Sequence, residues 1–281
     1  MRGAGLVVHM SIGIMQGRLV PPIDGKLQSF PTNGWNKELE LCRGLGIECM
    51  EWIYDGEDLY FLPNPISTFE GTRGLTSIES PKIASLCADY FVKAPLLRVP
   101  EHILEQRIAR LKWLISQCSL ANITFLVLPF VDDNSIRNRI EMNHVADIIN
   151  NVTHLAYTCN VSMALETNLS PDDFVYLLDN VAELVGVNYD SGNSASLGYS
   201  MDTEWDVYGK RIFNIHIKDR VIGGGSVPLG KGSANWNTLV RVLSKSEYNG
   251  NLILQVARGE SGKEVEWYQK NRNFLFDRGI G

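Results

Sequence analysis

The sequence has no Cys-x-x-Cys pair, no G-x-G-x-x-G, no apolar run near the roughly 18 residues a membrane span needs, and no surplus of basic residues. Each absence removes a class of function. The five cysteines, Cys42, Cys49, Cys87, Cys118 and Cys159, are odd in number and widely spaced among apolar neighbours. They fit reduced core residues of a cytoplasmic protein rather than a disulfide framework. Without a glycine fingerprint after an early strand, an open doubly wound dinucleotide-binding sheet is disfavoured, since the "GAG" at 3–5 precedes a strand instead of following one. The 26 Lys and Arg are scattered among 32 Asp and Glu, for a formal charge of −6. Such a chain has no patch for tracking a phosphate backbone, so neither nucleic acid nor membrane is an expected partner.

What is present is a chain of 281 residues, 44% of them apolar, enough for one large core. Eight apolar runs of strand length can be counted: "SIGIM" (11–15), "IECMEWI" (47–53), "IASLCAD" (83–89), "ITFLVLPFV" (123–131), "SMALETN" (162–168), "LVGVNYD" (184–190), "FNIHIKD" (213–219) and "LILQVAR" (252–258). Amphipathic stretches such as "EHILEQRIARLKWLISQCSL" lie between them, with apolar residues returning every three or four positions. This alternation predicts an α/β fold, a closed (β/α)8 TIM barrel, as a single domain over 1–281 with residues 1–9 an N-terminal extension. Ser170, Pro171, Asp172 and Asp173 mark a helix start by cap, fixed φ and dipole. The Gly-, Pro- and Ser-rich stretch 55–82 predicts a long loop over the barrel mouth.

Catalytic groups of such barrels sit at the carboxyl ends of the strands. There "ALETN" brings Glu166 and Asn168, "VNYDSGN" brings Asp190 and Asn193, "IHIKDR" brings His216, Lys218, Asp219 and Arg220, and "LQVARG" brings Gln255 and Arg258. Two carboxylates, an imidazole and a carboxamide oxygen from neighbouring strands make a mixed oxygen and nitrogen site suited to Mn²⁺, Mg²⁺, Co²⁺ or Zn²⁺. The plainer alternative is a hydrogen-bonded core histidine, with a buried carboxylate paired to Lys218 or Arg220. Lys218, Arg220 and Arg258 are candidates for a substrate phosphate or carboxylate, or else for salt bridges with Asp219. Gln16 and Arg18 in "MQGRL" are candidates for substrate hydroxyls or a carboxylate, and Asp89, Asn168 and Asn193 complete the expected substrate contacts. The glycines of "VIGGGSVPLGKG" (221–232) offer backbone N–H groups to anionic oxygens, or form a loop with no ligand. Trp52, Tyr90 and Phe91 read as core or as an apolar wall for a sugar face.

Taken together, "IGIMQGRL", "GIECMEW", "SLCADYF", "LETN", "NYDSGN", "HIKDR", "PLGKGSANW" and "LQVARG" resemble the sugar phosphate isomerase/epimerase family with its xylose-isomerase-like barrel. The resemblance implies a divalent metal held by Glu166, Asp190 and His216, a small-molecule sugar or sugar phosphate as substrate, and a homodimer, since barrels of this family often pair. At the fourth metal position Gln255 stands where glutamate is the rule. Two-base epimerases of the family use that carboxylate, and glutamine takes no proton at neutral pH. Glu166 acting alone suffices for aldose–ketose isomerisation along one face. Glu51, Asp89 or Glu260 would restore a two-base route. A dehydratase on a keto-sugar or keto-inositol, and a metal-free carbohydrate-binding barrel, are the other readings. The family's multi-zinc DNA-repair members need several histidines, and of His9, His102, His144, His154 and His216 only the last falls at a strand end.

Overall fold

The structure is a computed structural model that describes residues 10–56 and 81–281. Eight strands form a closed barrel in the order β1-β10-β7-β6-β5-β4-β3-β2. They are β1 (Ile12–Met15), β2 (Cys49–Ile53), β3 (Lys82–Cys87), β4 (Phe125–Phe130), β5 (Ser162–Thr167), β6 (Val185–Asp190), β7 (Ile212–Ile217) and β10 (Leu252–Leu254), while β8 (Asp219–Arg220) and β9 (Ser226–Val227) form a separate antiparallel pair. The helices between them are α1 (Trp35–Leu45), α2 (Tyr90–Lys93), α3 (Glu101–Leu120), α4 (Arg139–Thr158), α5 (Pro171–Asp179), α6 (Ser191–Leu197), α7 (Met201–Tyr208), α8 (Trp236–Lys245) and α9 (Glu264–Phe276). Each of the eight apolar runs holds its barrel strand to within a few residues. The expected extension at 1–9 and nearly all of the expected loop at 55–82 lie outside the described residues.

The chain divides into two compact units. One comprises the described chain up to Glu51, a short piece ending at Lys82, and everything from Tyr189 onward; the other comprises the described residues between Trp52 and Asn188, without that piece. In the first, β1 lies between β2 and β10, with Ile14 opposite Met50 and Leu254, and Ile253 of β10 stands opposite His216 of β7. In the second, β4 runs parallel to β3 and β5, with Leu128 opposite Leu165, and β5 runs parallel to β6. Strands of a parallel sheet are covered on both faces, so their sequences are nearly continuous in apolar residues. Met15, Met50, Ile215, Ile217, Leu252 and Ile253 are buried in the first unit, and Leu86, Leu126, Val127, Leu165 and Val185 in the second. Trp52 and Phe91 are likewise buried.

Local chemistry sets the helix ends that flank these strands. Ser170 Oγ accepts from Asp173 N, as its sequence predicts, and Asn138 and Asn235 cap α4 and α8 in the same way. Gly46 closes α1 with φ of 66°, in the left-handed region that glycine enters without a Cβ penalty. On β1, Gly13 is required by packing: a Cβ there would lie 2.5 Å from Cys49 Sγ and 2.9 Å from Cys49 O. Gly13→Ala should therefore destabilise the protein by about 1–3 kcal/mol, the usual cost of overpacking. Urea unfolding checks this, and an unchanged midpoint would contradict it.

Candidate metal centre

Side chains two residues apart on a strand share a face, and that spacing gathers the polar groups. On β7, Asn214 and His216 alternate with Ile215 and Ile217. Asn214 Nδ2 donates to Glu51 Oε2 at 2.7 Å, and His216 Nε2 lies 2.6 Å from Glu51 Oε1. Glu51 and His216 are fully buried and Asn214 nearly so. A neutral His216 that donates to this carboxylate carries its proton on Nε2 and keeps a lone pair on Nδ1. Buried carboxylates commonly orient metal-ligating histidines in this way. Glu51 is thereby engaged as an acceptor, not placed as the second base considered for it.

The same spacing brings Asn188 and Asp190 to one face of β6. Asn188 Nδ2 donates to Glu166 Oε2 at 2.9 Å, which fixes the plane of that carboxylate. Asp190 Oδ1 accepts from the N–H groups of Gly192 and Asn193 at 2.9 and 2.8 Å and so caps α6, while Oδ2 accepts from Lys218 Nζ at 2.9 Å. Burial pushes the Asp190 carboxyl up, but the Lys218 ammonium and the Asn193 N–H hold it below the usual carboxylate range. Gly192 is needed here, because a Cβ would lie 2.7 Å from Lys218 Cγ. Glu166, Asp190 and His216 form a buried group whose candidate ligand atoms all lie within 4.8 Å of one another.

Gln255 is 5% exposed, and its Oε1 is a buried acceptor with no hydrogen-bond partner among the described residues, while its Nε2 donates to Gln28 Oε1 at 3.1 Å. An orphaned carbonyl oxygen is costly to bury and is a natural ligand for a hard or borderline cation. The group of Glu166, Asp190 and His216 fits a divalent metal in its chemistry, with two carboxylates and an imidazole.

The expected substrate contacts lie as follows. Arg18 donates through Nε to Val256 O at 3.1 Å, through Nη1 to Leu27 O at 2.9 Å and through Nη2 to Gln28 Oε1 at 3.0 Å. Arg258 donates to Leu27 O at 3.1 Å, to Val20 O at 3.0 Å and to Gly17 O. Both guanidinium groups thus hold the segments that follow β1. Arg220 donates to Gly224 O at 2.9 Å and to Asn193 Oδ1 at 2.7 Å. Gln16 is buried, Asn168 is exposed, and Asp89 accepts from Cys87 Sγ at 3.2 Å. Asp219, weighed as a salt-bridge partner for these cations, instead accepts from the backbone N–H groups of Gly230, Gly232 and Ala234 at 2.8, 3.0 and 3.1 Å. The glycine-rich loop therefore turns two of its glycine N–H groups inward to Asp219. Glu260 pairs with Lys263 at 2.7 Å at the surface. A small pocket of about 50 Å³ beside Arg18, Arg258 and Trp267 includes none of Glu166, Asp190, His216 or Gln255 in its lining.

Sequence reading does not single out Gln28, Asn188, Asn214 or Glu38. Asn188 and Asn214 carry a usable signal, a polar residue two positions before a candidate ligand on the same strand. Glu38, on α1, is fully buried and accepts from Gly17 N at 2.7 Å and Leu19 N at 2.9 Å.

The model of the xylose isomerase-like TIM barrel family matches residues 39–278. The chain belongs to that family. Among solved structures it is similar to the IOLI protein with a bound zinc atom (19% identity, 87% of this chain and 92% of that chain, TM-score 0.72). It is also similar to a xylose isomerase-like TIM barrel protein from Mycobacterium smegmatis in complex with magnesium (18% identity, 95% and 96%, TM-score 0.67). A third is L-ribulose 3-epimerase (12% identity, 96% and 94%, TM-score 0.73). At these identities the likeness is one of fold. Among curated protein sequences none matches the chain. No helix of the described residues is long and apolar enough to cross a membrane.

Glu38 generates a pH dependence. Burial raises its carboxyl from 4.5 to about 7, against the lowering effect of the Leu19 and Gly17 N–H groups and of Arg258 and Arg18. Between those values the folded protein binds more protons than the unfolded chain, so this group's stabilisation is complete below about pH 4.5 and is lost as pH rises through about 7. The loss amounts to roughly 3 kcal/mol. Glu38→Gln should flatten that part of the curve of unfolding free energy against pH. A slope identical to that of the unaltered protein would show that Glu38 does not titrate there.

Proposed function

We propose that the protein is a divalent-metal-dependent isomerase acting on a sugar, with Glu166 as the catalytic base. The observation that carries this reading is the buried group of Glu166, Asp190 and His216 within 4.8 Å of one another, at the carboxyl ends of β5, β6 and β7. Gln255 Oε1 would supply the fourth ligand and His216 would bind through Nδ1. When bound, Mn²⁺, Mg²⁺, Co²⁺ or Zn²⁺ would supply polarisation of the substrate carbonyl.

Glu166 removes the C–H proton beside that carbonyl and returns it to the former carbonyl carbon on the same face, while the proton of the adjacent hydroxyl passes to the former carbonyl oxygen. Asn188 holds the carboxylate in the orientation this transfer needs. Gln255 takes no proton, and Glu51 is held by His216 and Asn214. Both facts favour one-base isomerisation over two-base epimerisation. The arginine donors expected to meet a phosphate are directed to protein oxygens: Arg18 and Arg258 to backbone carbonyls and Gln28, Arg220 to Gly224 O and Asn193. That favours an unphosphorylated sugar.

In D₂O the enzyme should incorporate deuterium beside the carbonyl of a ketose substrate without inverting configuration, and inversion would rule out the one-base route. Glu166→Gln should lower kcat by at least about a thousandfold, a general base's contribution, with an unchanged far-UV spectrum and Tm. Near-normal turnover would remove Glu166 from the mechanism. Isothermal titration of EDTA-treated protein with Mn²⁺ should show one site per chain, and no heat of binding would contradict the metal reading.

A further inference from the structure

Resting on that reading, the surroundings of Gln255 say why a glutamine stands there. Gln28 Oε1 receives Arg18 Nη2 at 3.0 Å and Gln255 Nε2 at 3.1 Å. A guanidinium is a donor only, so Arg18 fixes which end of the Gln28 carboxamide faces this junction: the oxygen. The segment carrying Gln28 is itself pinned, because Leu27 O accepts from Arg18 Nη1 at 2.9 Å and from Arg258 Nε at 3.1 Å. Residue 255 therefore meets a fixed acceptor. A carboxamide answers it with an N–H, and its own oxygen, buried and without a hydrogen-bond partner among the described residues, is left over. A glutamate in the same place would set a carboxylate oxygen against the Gln28 oxygen, two acceptors with no proton between them.

We infer that Arg18 and Gln28 are positioning residues that select a carboxamide at residue 255 and aim its oxygen as a neutral metal ligand. Gln255 is then a matched component, not the remnant of a lost carboxylate. Arg18 and Gln255 both donate to the one Gln28 oxygen, so the first bond sets the acceptor that orients the second.

The test uses the full-length protein and four variants: Gln28→Leu, Gln28→Glu, Gln255→Glu, and Gln28→Leu combined with Gln255→Glu. Two measurements are made on each, thermal unfolding in EDTA and Mn²⁺ affinity by titration. In EDTA, Gln255→Glu should lower Tm by about 4 °C, the cost of a lost hydrogen bond and an unpaired acceptor, and by much less when Gln28 is already Leu. Gln28→Leu should weaken Mn²⁺ binding about tenfold, while Gln28→Glu, which keeps an acceptor, should bind nearly as the unaltered protein does. Charge counting alone says that Gln255→Glu tightens Mn²⁺ binding. The inference says it does not, unless Gln28 is also changed. Tighter Mn²⁺ binding by Gln255→Glu alone, or additive Tm changes in EDTA, would overturn it. If no protein in the series bound Mn²⁺, the proposed metal centre would fall, and the unfolding measurements in EDTA would still decide whether Arg18 and Gln28 select the carboxamide.

Discussion

The hydrogen bond between His216 and Glu51 is the constraint on which the chemistry rests. An imidazole with no exposure to water, 2.6 Å from a carboxylate that is also fully buried, is held in one orientation. In the neutral ring that donates from Nε2, the remaining nitrogen is an acceptor. The same arrangement explains why Asn214 precedes it by two residues: the second oxygen of Glu51 needs a donor, and strand periodicity supplies one from the same face.

Around that pair the protein uses short-range backbone chemistry to hold its charges. Asp190 caps α6 with one oxygen and takes Lys218 with the other. Ser191 Oγ donates to Lys218 O at 2.7 Å and accepts from Lys218 N at 3.0 Å, so the start of α6 is tied to the end of β7. Asp219 gathers the loop that follows, and Glu38 gathers the turn after β1. In each case a buried carboxylate is satisfied by backbone N–H groups, which lets a polar side chain sit at a strand end without an exposed counter-ion.

Much of this architecture was legible in the sequence because it follows from period. Eight apolar runs separated by amphipathic helices leave few topologies, and a parallel barrel places the last residues of each run together. The grouping of Glu166, Asp190 and His216 was readable for that reason. What was not readable depends on pairings distant in the chain. Glu51 and His216 are 165 residues apart, and Gln28 and Gln255 are 227 apart. Nothing local to "CMEWI" or to "LQSF" announces either partner. The arginines show the limit most clearly: their charge is visible in the sequence, but only the fold reveals that Arg18 and Arg258 donate to carbonyls of the segments after β1. Asp219 shows it too, since a carboxylate beside Lys218 and Arg220 suggests a salt bridge until the loop N–H groups are seen to take it.

The decisive measurement is anomalous diffraction from a crystal soaked in Mn²⁺, reading the atoms that surround the ion. A single ion at about 2.0–2.3 Å from carboxylate oxygens of Glu166 and Asp190, from Nδ1 of His216 and from Oε1 of Gln255 is the expected result. An ion held elsewhere, or none within reach of His216 Nδ1, would contradict the assignment of these four side chains to one centre.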